Sequence, residues 1–578
     1  MRCSRVARLH AGLWLWLLLA LVPAGAAAVP AAVASAHPAA TAAGFEVLAA
    51  GGNAFDAAVA VSAALAVVEP YSSGLGGGGF YLLHRAADGH EVMLDARERA
   101  PLAASADMYR DASGAVDPAA SLDGALAAGI PGLPAALDRL AADHGRLPLA
   151  RSLAPAITLA QAGFEVDAHL REHVQRRRDA LAASPAAAAI FLPAGKAPAA
   201  GARLRQADLA RTLQALAARG RDGFYRGPVA RRLVQGTRAA GGIWQPEDLA
   251  QYRVVEREPV RGRYRDVEIV AAAPPSSGGV VLVESLNILA GLDLEGLAAG
   301  PRAHLVAEAM RRAYRDRAAW LGDPDFVDMP LARLLSTDYA AGLRAGIAPD
   351  RATPSALLAP AVPAPGGPHT THFSIVDGEG NRVAATLSIN YGFGSGFVPP
   401  GTGVVLNNEM DDFVAAPGVP NVYGLVGGAA NAIAPGKRML SSMTPTFLRQ
   451  GERFAVLGTP GGSRIISMVL LATLAFAEGG DAAQLAALPR YHHQYLPDAI
   501  FHEPEAFDAD AIAWLTAAGH TLRPLDRRYG NMQVVIEAPD VGLQAASDPR
   551  GIGAAQVAVP TLQRPVPMPA AAGGGTTR

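Results

Sequence analysis

At Thr370 the chain changes texture, and that change restricts the architectures open to it. Before it, residues 120–250 and 300–346 are rich in Ala, Leu and Arg, with apolar residues at helical spacing but no fixed repeat. After it, "THFSIVD", "RVAATLSINY", "GVVLNN" and "RFAVLGTP" are short β-type runs split by Asp-Gly, Gly-Asn and Gly-rich turns. A helix is predicted at about 462–479, then mixed structure to about 560. β-type residues also occur earlier, in "FYLLH", "EVMLDARERAP" and across 253–290. Helices, then strands, then helices predict a layered α/β (α+β) fold with sheets at the centre. The stretch 350–369, "DRATPSALLAPAVPAPGGPH", lacks periodicity and reads as a loop ending at the change.

Residues 37–70 read as two helices, the first ending at Gly51-Gly52 and the second capped by Asn53. Four glycines precede "FYLLH". They are not a phosphate loop, because neither GK[ST] nor a helix-opening G-x-G-x-x-G accompanies them. A close backbone approach leading into a strand accounts for them better.

Half of the 578 residues are hydrophobic and the net charge is −2. A large core can form, and no electrostatic case exists for nucleic acid or an anionic membrane as main partner. The basic "MRCSRVARLH", the apolar "LWLWLLLALV" and a small-residue A-x-A site ending at Ala28 form a signal-peptide pattern. Ten apolar residues are short for a span, so a retained anchor is the lesser alternative. The expected location is periplasmic or secreted. Cys3, the only cysteine, falls in the removed segment, which leaves no disulfide or thiol chemistry. The tail from about 562 reads as disordered.

A Thr-Thr strand start is ordinary by itself, since Thr favours strands. Cutting the His369–Thr370 bond would change its meaning. Thr370 would then carry a free α-amine beside its hydroxyl, and a hydroxyl nucleophile needs such a neighbouring base. The ordinary pKa of an α-amine, about 7.7–8.0, suits that work near neutral pH.

"AAGGNAFDAAVAVSAAL", "GLGGGGF", "DARERAP", "PPSSGG", "WLGDPDFV", "TTHFSIVDGEGN", "NNEMDDF", "PGVPNVYGLVGG", "LSSMTP", "GTPGGSRI" and "YHHQYLPD" follow one another along residues 37–550. In that order they resemble the γ-glutamyltranspeptidase (glutathione hydrolase) family of N-terminal-nucleophile hydrolases. The resemblance implies a four-layer αββα sandwich made as a proenzyme and cut autocatalytically before Thr370. Residues 1–28 would be the signal peptide, 29–369 the large subunit and 370–578 the small subunit of one heterodimer. It implies Thr370 as nucleophile and base, with Ser388, at a position usually held by Thr, bonding the new amine. Asn390, Glu409 and Asp412 would hold the α-amino group of a γ-glutamyl substrate. Arg97, Ser441 and Ser442 would hold its α-carboxylate, and Gly461 and Gly462 would supply oxyanion N–H groups. Residues 417–438 match a lid that some members have, with Tyr423 reaching Asn390. His369 before the cut and Ser388 are mild departures from the family pattern.

The chemistry suits these roles. A γ-glutamyl group is a zwitterion at one end, so it needs an anionic cluster for the ammonium and a cation with hydroxyls for the carboxylate. Fixing both charges sets the γ-carbonyl against Thr370. The expected activity is γ-glutamyl transfer from compounds such as glutathione to water, amino acids or dipeptides. A cephalosporin or glutaryl acylase, or an uncleaved binding homologue, is the alternative. No cofactor is expected. No metal is expected either, since the adjacent His492 and His493 point apart and lack HExxH spacing.

Overall fold

Two antiparallel sheets face each other at the centre of the computed structural model, which describes residues 29–358, 370–415, 421–425 and 427–561. The signal-peptide segment with Cys3, the loop 359–369 with His369, and the tail from 562 lie outside the described residues. The first sheet runs Ala554–Ala558, Ala31–Ser35, Thr371–Val376, Arg382–Ser388, Gly78–Arg85, His90–Ala96, Val255–Arg257. The second runs Gly542–Ser547, Gln533–Ala538, Arg453–Gly458, Thr446–Gln450, Val267–Ala271, Val260–Tyr264.

The strand period of two builds the layers. Along Gly78–Arg85, Phe80 and Leu82 enter the apolar space shared with Val456 and Val534 of the second sheet. Tyr81 and Leu83 face the opposite way, into the cluster with Val61 and Leu65. The helices Pro38–Ala49 and Ala54–Val68 cover that outer face, and Gly278–Leu289 and Arg464–Ala477 cover the second sheet. The result is the four-layer αββα sandwich.

Local signals explain several boundaries. Asn53 caps Ala54–Val68 in a reciprocal capping box with Asp56. The glycine run works by close approach: a Cβ on Gly77 would sit 2.1 Å from the Ser388 carbonyl oxygen. Only glycine lets these backbones meet there.

Two readings change, and one strand carries no signal in the sequence. "GVVLNN" forms no strand; Leu406 makes one isolated bridge to Gly76. Asn407 is the reason, because its side-chain amide donates to the carbonyls of Gly76 and Gly129 at 2.6 and 2.8 Å, in place of a ladder. The helical stretch 300–346 breaks after Ala299–Trp320 and resumes only at Leu331–Leu334 and Thr337–Ala345. Gly322 and Pro324 fall in the gap, and Asp323 caps its turn by accepting from the Asp325 N–H at 3.0 Å. Ala31–Ser35, a run too small in side chain to signal itself, is an internal strand of the first sheet.

Candidate active site

Thr370 stands one residue before the strand Thr371–Val376, whose register pairs Thr371 with Leu387. Ser388 therefore falls beside Thr370, and their hydroxyl oxygens are 3.4 Å apart. Ser388 Oγ also accepts from the Asn390 N–H at 2.7 Å, which fixes the hydroxyl. Alternation sends the next two residues elsewhere. Thr371 donates to the buried Glu69 at 2.8 Å. His372 lies between the sheets, 2.8 Å from Thr386 Oγ1, and burial lowers its pKa to about 3, so it stays neutral.

Thr370 lines a cleft shared with Arg97, Ser388, Asn390, Glu409, Asp412, Tyr423, Ser441, Ser442 and Gly462. Gly461 sits behind it, where a Cβ would strike the Met468 side chain at 2.5 Å. Residues scattered over most of the sequence thus converge on one hydroxyl.

Arg97 follows directly on the strand His90–Ala96 and is fully buried. Glu409 and Asp412 are the ends of a 3-10 turn, Glu409–Asp412. In that geometry positions three apart eclipse, so both carboxylates face one side. They meet the Arg97 guanidinium there, Glu409 on one terminal nitrogen and Asp412, at 2.5 Å, on the other. Arg97 Nε donates to the Met439 carbonyl at 3.2 Å. Glu98 lies 3.6 Å from the same guanidinium, and burial raises its pKa well above the usual carboxylate range. Burial also pushes Glu409 up to about 7, against the pull of Arg97. Among the described residues, Glu409 Oε1 accepts no hydrogen bond.

The opposite wall carries hydroxyls and N–H groups. Ser441 is held by backbone bonds with Pro275 and Ser277, both at 2.8 Å, which explains the "PPSSGG" stretch. Gly462, at φ +57°, precedes the helix Arg464–Ala477, whose positive N-terminal end adds to the field there. A Cβ on Gly462 would stand 2.4 Å from Tyr423 Cδ1, so the tyrosine ring packs directly against this glycine. The Tyr423 hydroxyl donates to the Asn390 carbonyl at 2.7 Å and closes that side. The segment 421–425 hangs from three side chains. Asp411 accepts from the Val422 N–H at 2.8 Å, Asp412 from the Asn421 amide at 3.1 Å, and Gln494 donates to the Gly424 carbonyl at 3.1 Å.

One lining residue had no place in the sequence reading. Arg317, near the end of the helix Ala299–Trp320, is 5 % exposed and reaches Ser442 Oγ at 3.2 Å and Ser277 Oγ at 2.9 Å. Arginines are so frequent in that helix that nothing in the sequence marks this one.

Among the described residues, neither histidine of "YHHQY" belongs to a group of three metal-ligating side chains: His492 bonds Ser467 and Gln494, and His493 bonds Asp498. Among the described residues, His304, Glu308 and His520 do bring donor atoms together. Those atoms are committed, however. His304 Nδ1 and His520 Nε2 share a hydrogen bond at 2.7 Å, and Glu308 pairs with Arg311 and Arg312 at 3.2 and 2.6 Å.

The comparisons with known proteins agree with this geometry. The Gamma-glutamyltranspeptidase family profile matches residues 40–558. A glutathione hydrolase proenzyme of Pseudomonas sp. (strain A14) is 44% identical over 90% of this chain and 92% of its own. One of Escherichia coli (strain K12) is 42% identical over 90% of each. A cephalosporin acylase from Bacillus halodurans superposes with a TM-score of 0.79 at 29% identity, over 92% of this chain and 96% of its own. The sequence order of the motifs, the sandwich and these likenesses together place the chain in the γ-glutamyltranspeptidase family of N-terminal-nucleophile hydrolases.

Proposed function

We propose that the protein is a γ-glutamyltransferase and glutathione hydrolase, made as a proenzyme and cut between His369 and Thr370. The carrying observation is that Thr370 shares its cleft with an arginine–dicarboxylate cluster on one side and serines and a left-handed glycine on the other. In this reading Thr370 Oγ attacks the γ-carbonyl and its proton passes to the Thr370 α-amine. The developing oxyanion takes N–H bonds from Gly461 and Gly462. The amine product leaves with the proton, and a γ-glutamyl ester on Thr370 remains. Water or an amino acid or dipeptide amine, deprotonated by the same α-amine, then releases the acyl group. Glu409 and Asp412 receive the substrate ammonium, with Asn390 beside them. Arg97, Ser441 and Ser442 serve the carboxylate, Ser388 holds the new amine, and Tyr423 seals the cleft. Residues 1–28 act as an export signal, which puts the enzyme in the periplasm or outside the cell. Among the described residues no helix is long and apolar enough to cross a membrane.

A glutaryl donor lacks the ammonium, so it brings no second cation to two acids that share the single charge of Arg97, and the acylase reading is disfavoured. Assaying a γ-glutamyl anilide beside its glutaryl counterpart decides between them. Faster cleavage of the glutaryl compound would replace this reading with the acylase one.

Two further expectations follow from the site. For a γ-glutamyl anilide, kcat/KM reports the free enzyme. Glu409 must be ionised to accept the ammonium, and burial holds it near 7. The α-amine must be neutral, with an ordinary pKa of about 7.7–8.0. Both requirements fail as pH falls, so log kcat/KM should drop below pH 7 with a slope approaching two. Glu409→Gln should reduce that slope to one, and an unchanged slope would remove Glu409 from the ionisation. Gly462→Ala should cost about 2.7–4 kcal/mol of barrier, the range for one lost oxyanion donor. The methyl group both strains a φ of +57° and displaces Tyr423. Single-turnover acylation rates would register the loss, and a rate within tenfold of wild type would contradict the oxyanion assignment.

A further inference from the structure

Arg382 and Ser388 are the first and last residues of one strand. Ser388 faces Thr370, so Arg382 lies about 20 Å along the strand from the residue beside the nucleophile. There the two central sheets part around a second cleft of about 720 Å³, within the size range of small-molecule sites. Strand alternation decides what lines it. Arg382, His84 and Glu91 are register partners on one face of the first sheet. Phe447, Arg449 and Phe454 face them from the second.

The floor is apolar and carries one uncompensated cation. Phe447 and Phe454 are buried, and the Arg382 guanidinium lies 3.5 Å from the centre of the Phe454 ring. Among the described residues Arg382 makes no ion pair and no hydrogen bond. Its Nε is buried without a partner, and its terminal nitrogens open into the cleft. The acids around it are engaged or at the rim. Glu91 is held by Arg261 at 2.6 Å and by His84 at 3.1 Å. Glu268 stands opposite Arg449 in the ladder and Glu537 opposite Phe454, both exposed, and Glu452 is exposed in the turn between those strands. A half-buried guanidinium without a counter-ion is costly, and an anion arriving beside it removes that cost. The aromatic floor favours an anion that carries a flat apolar body.

We propose that this cleft binds a small aromatic carboxylate, its carboxylate on the terminal nitrogens of Arg382 and its ring against Phe447 and Val270. The site shares no lining residue with the cleft at Thr370, and it stands whether or not the γ-glutamyl reading does.

Isothermal titration of the purified protein with 3-phenylpropanoate tests this, with the uncharged 3-phenylpropanamide and the ringless acetate beside it. The acid should bind saturably with a millimolar or lower Kd, and both controls roughly tenfold or more weakly. Arg382→Met should weaken the acid roughly ten- to a hundredfold, down to the level of the amide, the range for a charge-assisted hydrogen bond. Three results would each overturn the proposal: no saturable binding of the acid, equal binding of acid and amide, or acid binding that Arg382→Met leaves untouched. If Arg382→Met does not accumulate as folded protein, a crystal structure of the wild-type protein with 3-phenylpropanoate decides alone. A carboxylate on Arg382 bears the proposal out, and a ligand seated only elsewhere, the Thr370 cleft included, overturns it.

Discussion

Thr370→Ala should purify as one polypeptide, where the wild-type protein should resolve into two, and should lose at least about 10⁴-fold in γ-glutamyl anilide hydrolysis. Both effects have one source. In the proposed function the hydroxyl that attacks the substrate carbonyl is also the group that attacks the carbonyl of residue 369, so removing it would abolish nucleophile and maturation together. Thr370 is 7 % exposed and the Ser388 hydroxyl sits 3.4 Å away, so a methyl in its place leaves the packing largely intact. Intact-mass analysis and gel electrophoresis read the first effect and steady-state kinetics the second. A Thr370→Ala protein that still separates into residues 29–369 and 370–578 would assign cleavage to another residue. Thr370→Ser keeps the hydroxyl and should still mature.

Arg97→Met should be the most destabilising single change in the cleft. It leaves Glu98 and Glu409 buried, and Asp412 half-buried, around an apolar side chain. Removing one partner of a buried charge cluster typically costs about 3–5 kcal/mol. The pH dependence gives the sign. Burial already raises Glu98 and Glu409 above the usual carboxylate range, and Arg97 is what opposes that rise. Without Arg97 their folded-state pKa values climb further above the unfolded values. The folded variant then holds more protons than the unfolded chain, so its stability is present at low pH and lost as pH rises through the folded values. The deficit against wild type should therefore be smaller at pH 5 than at pH 8, measured by chemical denaturation at both. An equal deficit at the two pH values would show that the acids do not couple to Arg97.

Much of this was legible before any coordinates. Local signals carried the fold where one residue type solves one backbone problem: Asn53 as a cap, and glycines where the Ser388 carbonyl crowds Gly77. Motif residues likewise fell into one cleft, because each is tied to a strand end or a tight turn next to a sheet. What stayed hidden depends on long-range packing. Ala31–Ser35 has no large side chain to announce a strand, and only its neighbours on both sides make it one. "GVVLNN" has strand composition, yet the side chain of Asn407 takes the carbonyls a ladder would have used. Arg317 differs from nearby arginines only in the direction its helix face points. Arg97 reads in sequence as a ligand for a carboxylate, and the turn that brings Glu409 and Asp412 onto it becomes visible only in three dimensions.

The strand Ala31–Ser35 has a consequence for how the mature molecule persists. It lies between Thr371–Val376 and Ala554–Ala558, so a piece from before the proposed cut is flanked on both sides by pieces from after it. In the second sheet, Val267–Ala271 pairs with Thr446–Gln450 across the same divide. Cutting before Thr370 breaks none of these ladders, since the paired residues begin at Thr371. Neither product could leave without opening both sheets, and neither could rebuild its sheets alone. Each mature molecule should thus keep, for its lifetime, the two halves of the precursor from which it was cut. A damaged nucleophile could not be replaced by exchange with a neighbour, and a population of variant and wild-type enzyme would remain two separate populations after mixing.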